Sequence, residues 1–239
     1  MKRLVLIGSL LLTMSVFAKT LMIGSSPENP PFSNLDRPGG NFFGFDIDIM
    51  KAVCDRIKAD CKFVPLEFDD EFVNLKDGHI DLAIAAIIIT PERQARFLFS
   101  LPYLESNAGF MALQSSSINT PNDIESKTVG TRKGTPFKAL AMALYDNHVN
   151  VIEYPYTPDL LDALRDKKVD AVFMDLEPSK YWYANNSTLY KMVGTAIPIG
   201  DGYGIMASKS QGDLIAQINQ ALLSMEADGS YLDIYTRYF

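Results

Sequence analysis

Residues 80–89 (IDLAIAAIII) are apolar at every position except Asp81. A membrane-spanning helix needs about 20 such residues, so this run is too short to be one. It shows neither the strict alternation of a half-exposed strand nor the 3.6-residue period of a surface helix. The expectation is therefore a strand buried on both faces, as in the middle of a parallel sheet. Thr90-Pro91-Glu92 follows at once, with Thr90 as N-cap and Pro91 at the first helical position. A buried strand running directly into a helix points to an α/β fold.

The flanking sequence repeats that theme. A short strand covers 20–25 and runs into a Ser/Pro/Asn-rich loop over 25–31. A helix begins at Asp46, its expected N-cap, and carries Ile49, Met50, Val53, Cys54 and Ile57 at helical spacing. A strand over 62–66 and a helix over 69–77 precede the buried run. After a strand-like stretch at 109–113, a second series reads strand 128–131, helix from Phe137, strand 151–154, helix 159–167 and strand 169–174. Residues 202–207 are strand-like, and a last amphipathic helix carrying Leu214, Ile215, Ile218, Leu222 and Met225 stops near Gly229. Tyr181, Trp182 and Tyr183 read as helix packing. No low-complexity linker divides the two series, so two lobes joined by extended strands, with a cleft between them, are expected.

Composition excludes several functions. Of 239 residues, 22 are basic and 29 acidic, giving a net charge of −7, which argues against a nucleic-acid partner. Two Cys and two His are too few for a Cys-rich zinc module, and no metal or cofactor is expected. His79 and His148 fall in helix–strand connections and read as surface residues. The order of residues around Gly130 and Gly134 is not that of a phosphate-binding loop, and no G-x-S-x-G, H-E-x-x-H or G-x-G-x-x-G occurs.

Residues 1–18 open with Lys2 and Arg3, continue through an apolar stretch to Phe17, and end with the small-residue pattern Val16-Phe17-Ala18. This reads as a cleaved secretory signal peptide. With no Cys before Cys54, a lipid tether is not expected, and a protein free in the periplasm is. Taking Lys2 and Arg3 from the 22 basic residues leaves 20 against 29 acidic ones, a balance of −9. In an oxidising compartment Cys54 and Cys61 are best read as one short disulfide, with two buried thiols as the alternative.

In open α/β sheets ligands bind beyond the carboxyl ends of the strands. That rule collects the loop after Ser25, Phe68, residues 87–93, residues 131–136 and Asp175. Arg93 lies in the first turn of its helix, where its charge opposes the dipole, so an anionic partner would explain it; a surface ion pair is the alternative. Gly130-Thr131-Arg132-Lys133-Gly134-Thr135-Pro136 joins a strand to a helix N-terminus and can present N–H groups to an anion. Asp175, at a strand end, suits a ligand ammonium or a structural salt bridge. Phe68 could wall the cleft or pack in the core.

These segments together resemble the periplasmic solute-binding proteins of polar amino-acid ABC importers, bacterial extracellular solute-binding protein family 3. The resemblance rests on Pro30-Pro31-Phe32, Gly44-Phe45-Asp46-Ile47-Asp48, Gly78-His79-Ile80-Asp81, Ile89-Thr90-Pro91-Glu92-Arg93 and Phe99-Ser100-Leu101-Pro102-Tyr103. Farther on it rests on Val129-Gly130 with Gly134-Thr135, Val169-Asp170-Ala171 with Asp175, Tyr203-Gly204-Ile205, Gly229-Ser230-Tyr231 and the final Tyr235-Thr236-Arg237-Tyr238-Phe239. It implies a two-lobed Venus-flytrap fold, each lobe a mixed sheet flanked by helices, with two crossing strands as hinge. Lobe 1 would comprise 19–107 and 204–239, and lobe 2 residues 108–203.

The resemblance further implies that Arg93 clamps an α-carboxylate with N–H groups near Ile88 and Thr135, that Asp175 takes the α-ammonium, and that Phe68 walls the side-chain pocket. Cys54 and Cys61 match a disulfide of the branch that binds lysine, arginine, ornithine and histidine. The chain departs from that branch. Ser26 stands where it has an acidic residue, Asn29 where it has a stacking aromatic, and Ala86 and Ile88 where it has hydroxyl side chains. Pro136 has no N–H to donate. Arg132, at a pocket position, would repel a cationic side chain and suit an amide or a carboxylate. The implied partners are a free amino acid and an inner-membrane permease, with the protein itself a monomer. A cyclohexadienyl dehydratase-like enzyme on the same fold, or an amino-acid sensor, is the rival expectation.

Overall fold

A computed structural model describes residues 20–239; the expected signal peptide lies outside them. The chain first builds β1 (Thr20–Ser25), a three-stranded flap of β2 (Glu28–Asn29), β3 (Ser33–Leu35) and β4 (Phe42–Phe43), and helix α1 (Phe45–Ile57). It continues through β5 (Asp60–Pro65), α2 (Phe68–Asp77), β6 (Leu82–Ala83), α3 (Pro91–Arg96) and β7 (Leu98–Phe99). It then crosses to β8 (Asn107–Leu113), β9 (Thr128–Arg132), α4 (Phe137–Leu144), β10 (Asn150–Tyr154), α5 (Thr157–Arg165), β11 (Ala171–Asp175), α6 (Leu176–Asn185) and β12 (Tyr190–Pro198). Finally it returns for β13 (Met206–Ala207), α7 (Gly212–Asp228) and α8 (Ser230–Tyr235).

Two five-stranded mixed sheets result, ordered β5-β1-β6-β13-β7 and β10-β9-β11-β8-β12. In the first, β5, β1 and β6 run parallel, and β13 pairs antiparallel with β6 and β7. In the second, β10, β9 and β11 are parallel, and β8 is antiparallel to β11 and β12. The two crossings meet where Leu104 bridges Tyr203, which also bridges Ile88. This is the expected two-lobed α/β architecture.

The apolar run behaves as predicted in its faces but not in its ladder. Leu82, Ile84, Ala86 and Ile88 join the large core cluster, while Ala83, Ala85 and Ile87 join a second cluster that includes Phe68, Leu75 and Phe97. Both faces are covered, with period two. Yet only Leu82–Ala83 forms strand, because Ala86 turns into the left-handed region at φ 49°. That turn ends the β6 ladder, and residues 87–89 then pair with residues 201–204 of the second crossing.

Helix α1 starts one residue before the predicted Asp46. Gly44 caps it at φ 131°, where a Cβ would stand 2.2 Å from the Phe32 carbonyl oxygen. Asp46 sits inside the first turn instead, with its carboxylate turned into the protein. Thr90 does cap α3, its hydroxyl accepting from the Arg93 N–H at 3.3 Å, and Gly229 ends α7 in the left-handed conformation. Cys54 and Cys61 are joined as a disulfide that ties the last turn of α1 to β5. Tyr181 and Tyr183 are exposed rather than packed. Strand β12 and helix α8 were not visible in the sequence pattern.

Candidate functional site

The carboxyl ends of β1, β9 and β11, the turn at Ala86–Thr90 and the N-termini of α2, α3 and α4 converge between the two sheets. The fully buried Asp46 organises the floor of this cleft. One of its carboxylate oxygens accepts from the Ala86 N–H at 2.7 Å, holding the left-handed turn. Burial pushes its carboxyl up to about 7, against the lowering effects of the Ala86 N–H and the Tyr103 hydroxyl.

The Ala86 turn aims the Ile88 carbonyl at Arg93, which donates to it at 2.7 Å. The other arm of the same guanidinium reaches across the cleft to the Gly134 carbonyl at 3.0 Å. Arg93 is therefore neither solvated nor tied up in a surface ion pair. Burial pulls its pKa down to about 10, and Asp175, Glu71, Glu92 and Asp69 act in the opposite sense. It borders a cleft of about 380 Å³ that is also lined by Asp69, Phe72, Thr90, Thr135 and Pro136. Pro136 precedes α4 as its N-cap, and the Thr135 hydroxyl donates to the Arg132 carbonyl, closing the turn. Gly134 has φ 77°, and a Cβ there would collide with the Asp69 carboxylate.

Arg132 makes the reciprocal crossing. It projects from the end of β9 and donates to the Ser26 hydroxyl at 2.6 Å, with its guanidinium 5.0 Å from the Phe68 ring centroid. Arg93 lies 5.5 Å from the same ring. Phe68 thus both packs in the core and supports two cations, in the geometry of cation–π attraction. At the end of β11, Asp175 accepts from the Tyr203 hydroxyl at 2.7 Å. The surrounding protein raises the Asp175 carboxyl to about 6, chiefly by desolvation, with Tyr203, Arg132 and Arg93 pulling it back. Lys133 and Asp69 add an exposed ion pair across the cleft mouth at 3.5 Å.

Of the predicted site residues, Arg93 and Thr135 line this cleft. Ile88, Phe68, Ser26 and Arg132 are linked to it through the contacts of the two guanidiniums. Asp175 acts on both guanidiniums, and Ala86 is buried in the turn before Ile88. Asn29 is buried in the flap, where it pairs with Ser33 on β3. Three participants were not anticipated as site residues: Asp46, Glu71 and Tyr203. Glu71 is fully buried on α2 with no hydrogen-bond partner for either carboxylate oxygen. Its sequence signal is the stripe Phe68, Glu71, Phe72, Leu75, in which an acid interrupts an otherwise apolar helix face.

Comparison with known proteins places this geometry in context. The family model described as bacterial extracellular solute-binding proteins, family 3, matches residues 21–239. The L-arginine-binding protein of Pseudomonas aeruginosa PAO1 is 32% identical over 253 residues, spanning 100% of this chain and 97% of the relative. The crystal structure of an arginine 3rd transport system periplasmic binding protein from Legionella pneumophila is 43% identical, with a TM-score of 0.89. That match covers 93% of this chain and 100% of the other. An ancestral arginine-binding protein bound to glutamine is 31% identical with a TM-score of 0.85, covering 93% and 99% of the two chains.

Proposed function

We infer that this chain, which belongs to the bacterial extracellular solute-binding proteins of family 3, captures a polar amino acid in its cleft and delivers it to an inner-membrane ABC permease. Its relatives are named as binding proteins, and its role is solute binding rather than catalysis. The relatives' periplasmic setting supports a periplasmic protein exported by a signal peptide at 1–18. We place lobe 1 at 19–107 and 204–239 and lobe 2 at 108–203. In support, β13 returns after the second sheet to insert between β6 and β7.

The observation that carries the binding mode is that Arg93 faces the α4 N-terminus across the cleft, while Asp175, at the end of β11 in the second sheet, acts on the same guanidinium. A zwitterion fits that polarity. Its carboxylate would take the fork of Arg93 and the N–H groups near Ile88 and Thr135, and its ammonium would take Asp175. Because the two anchors sit on different sheets, a ligand touching both favours the closed form over the open one. Arg132 in the side-chain region disfavours a cationic ligand and suits an amide or a carboxylate, unlike the arginine named for several relatives.

The test is a thermal-shift panel of the twenty amino acids, ornithine and citrulline on ligand-stripped protein. A ligand present at 100 times its Kd adds about 2.7 kcal/mol to stability. At least one polar amino acid should raise Tm, and Arg93→Ala should abolish that rise while leaving a cooperative melt. A panel without any response would overturn the reading.

A further inference from the structure

Tyr203 links the surroundings of both anchors in the proposed binding mode. It is buried on the second crossing, and its backbone is tied to the first. Its N–H donates to the Leu104 carbonyl at 2.8 Å, and its carbonyl accepts from the Tyr103 N–H at 2.9 Å. Its neighbours clamp the stretch that sets the carboxylate anchor. Gly204 donates to the Ile87 carbonyl at 3.0 Å, and the Gly202 carbonyl accepts from the Ile89 N–H at 2.8 Å. Between those two bonds lies Ile88, whose carbonyl accepts from Arg93. The Tyr203 ring packs edge-on against Phe32, with centroids 5.1 Å apart. From this rigid frame the hydroxyl reaches out to Asp175, at the end of β11 in the other sheet.

A carboxylate at a strand end is free to turn about its side-chain torsions, and a donor mounted on a rigid frame removes that freedom. A hydrogen bond to an ionised acceptor is also stronger than one between neutral groups, so the hydroxyl favours the charged carboxylate that an ammonium requires. Two carboxylate oxygens offer about four lone-pair sites, so one bond from Tyr203 leaves room for an ammonium. We propose that Tyr203 is the positioning residue of the ammonium anchor: its hydroxyl orients the Asp175 carboxylate toward a ligand ammonium, and its backbone fixes that carboxylate relative to the Arg93 anchor. This rests on the amino-acid-binding reading above and deepens it. Asp175 is faced by the Tyr203 hydroxyl, Arg132 and Arg93, which all oppose the burial that raises its carboxyl to about 6. Tyr203 is faced by Asp175, Asp46 and Glu177. Burial and these acids push its phenol well above the usual range, so it remains a neutral donor.

Calorimetric titration of ligand-stripped wild type and Tyr203→Phe at pH 8 and pH 5 tests this, using the amino acid that gives the largest Tm rise in the panel. Wild-type affinity should be full at pH 8 and fall below about pH 6, because the ionised Asp175 is the form that takes an ammonium. Tyr203→Phe keeps the ring against Phe32 and removes only the donor. At pH 8, where Asp175 is ionised in both proteins, the lost positioning should weaken binding about two- to tenfold. At pH 5 the deficit should be about tenfold larger still. With one donor fewer, burial holds the Asp175 proton to about one pH unit higher. Asp46 keeps the Ala86 N–H and Tyr103 in both proteins, so its titration is common to them. Parallel melts establish that the variant is folded. In wild type alone, the proton resonance of the Tyr203 hydroxyl should shift over the same pH interval as the affinity. Equal deficits at the two pH values, or none at pH 8, overturn the assignment and leave the amino-acid reading intact. A hydroxyl resonance indifferent to that interval overturns it even if the variant does not fold. An entirely unresponsive panel removes the wider reading with it.

Discussion

Asp46 shows how much one buried side chain organises here. Its carboxylate fixes a left-handed alanine, that turn presents the Ile88 carbonyl, and the carbonyl orients Arg93. The arrangement has a pH signature. The Asp46 carboxyl is held at about 7 in the fold against an ordinary 3.8, so the folded state keeps its proton more tightly than the unfolded chain. Its favourable contribution is complete below about 4 and is lost as pH rises through 7. Asp46→Asn keeps an oxygen for the Ala86 N–H but has no proton to lose. Urea midpoints measured at pH 4 and pH 8 should therefore fall less for the variant, by about 2–4 kcal/mol in unfolding free energy. Asp175 titrates in both proteins and cancels from the difference; parallel losses would refute the role given to Asp46. The sequence marks Asp46 only as a cap candidate. What sets its pKa is burial among residues distant in the chain, and local pattern does not report that.

At the scale of elements, α1 and β5 are tied by Cys54–Cys61 at the end remote from the cleft. Asp60 pairs with Thr20 at the start of β1, whereas the cleft lies past Ser25 at its other end. Helix α1 is 13 residues long, about 20 Å, so its disulfide end and its Asp46 end are well separated. The double substitution Cys54→Ser/Cys61→Ser should cost about 2–3 kcal/mol of stability by the loop-entropy estimate. Ligand preferences should not change, since the site residues stand at the opposite ends of these elements. A changed order of affinities would show that the disulfide shapes the pocket. Elements with strong local signals were legible: the Thr90-Pro91 start of α3, the Phe137 start of α4 and the Gly229 stop of α7. Those settled by pairing were not. Residues 202–207 read as strand, but the ladder covers only Met206–Ala207, where β6 and β7 offer partners.

At the scale of the molecule, the two sheets are held together by the protein's own cations. Arg93 reaches Gly134, Arg132 reaches Ser26 and Lys133 reaches Asp69, while Tyr203 in the second crossing holds Asp175. The Lys133 pair is exposed and contributes little, whereas the two guanidiniums are buried and directional. Arg132→Ala should shift the ligand-free protein toward an open form. Small-angle scattering should then give a larger radius of gyration than for wild type, with added ligand reducing the difference. Identical radii without ligand would mean that Arg132 does not contribute to closure.

The sequence by itself determined the α/β class and the two-series organisation, which follow from local periodicity and capping chemistry that neighbouring residues encode. It also pointed to the Cys54–Cys61 disulfide through the oxidising compartment its first 18 residues imply. Only the tertiary structure decided that residues 80–89 yield two residues of strand and then a buried left-handed turn, that Asp46 is a buried strut, and that Glu71 faces Arg132 without a hydrogen bond. Those outcomes depend on which distant groups come within a few ångströms. Desolvation and charge–charge coupling act through that spacing, whatever the separation along the chain.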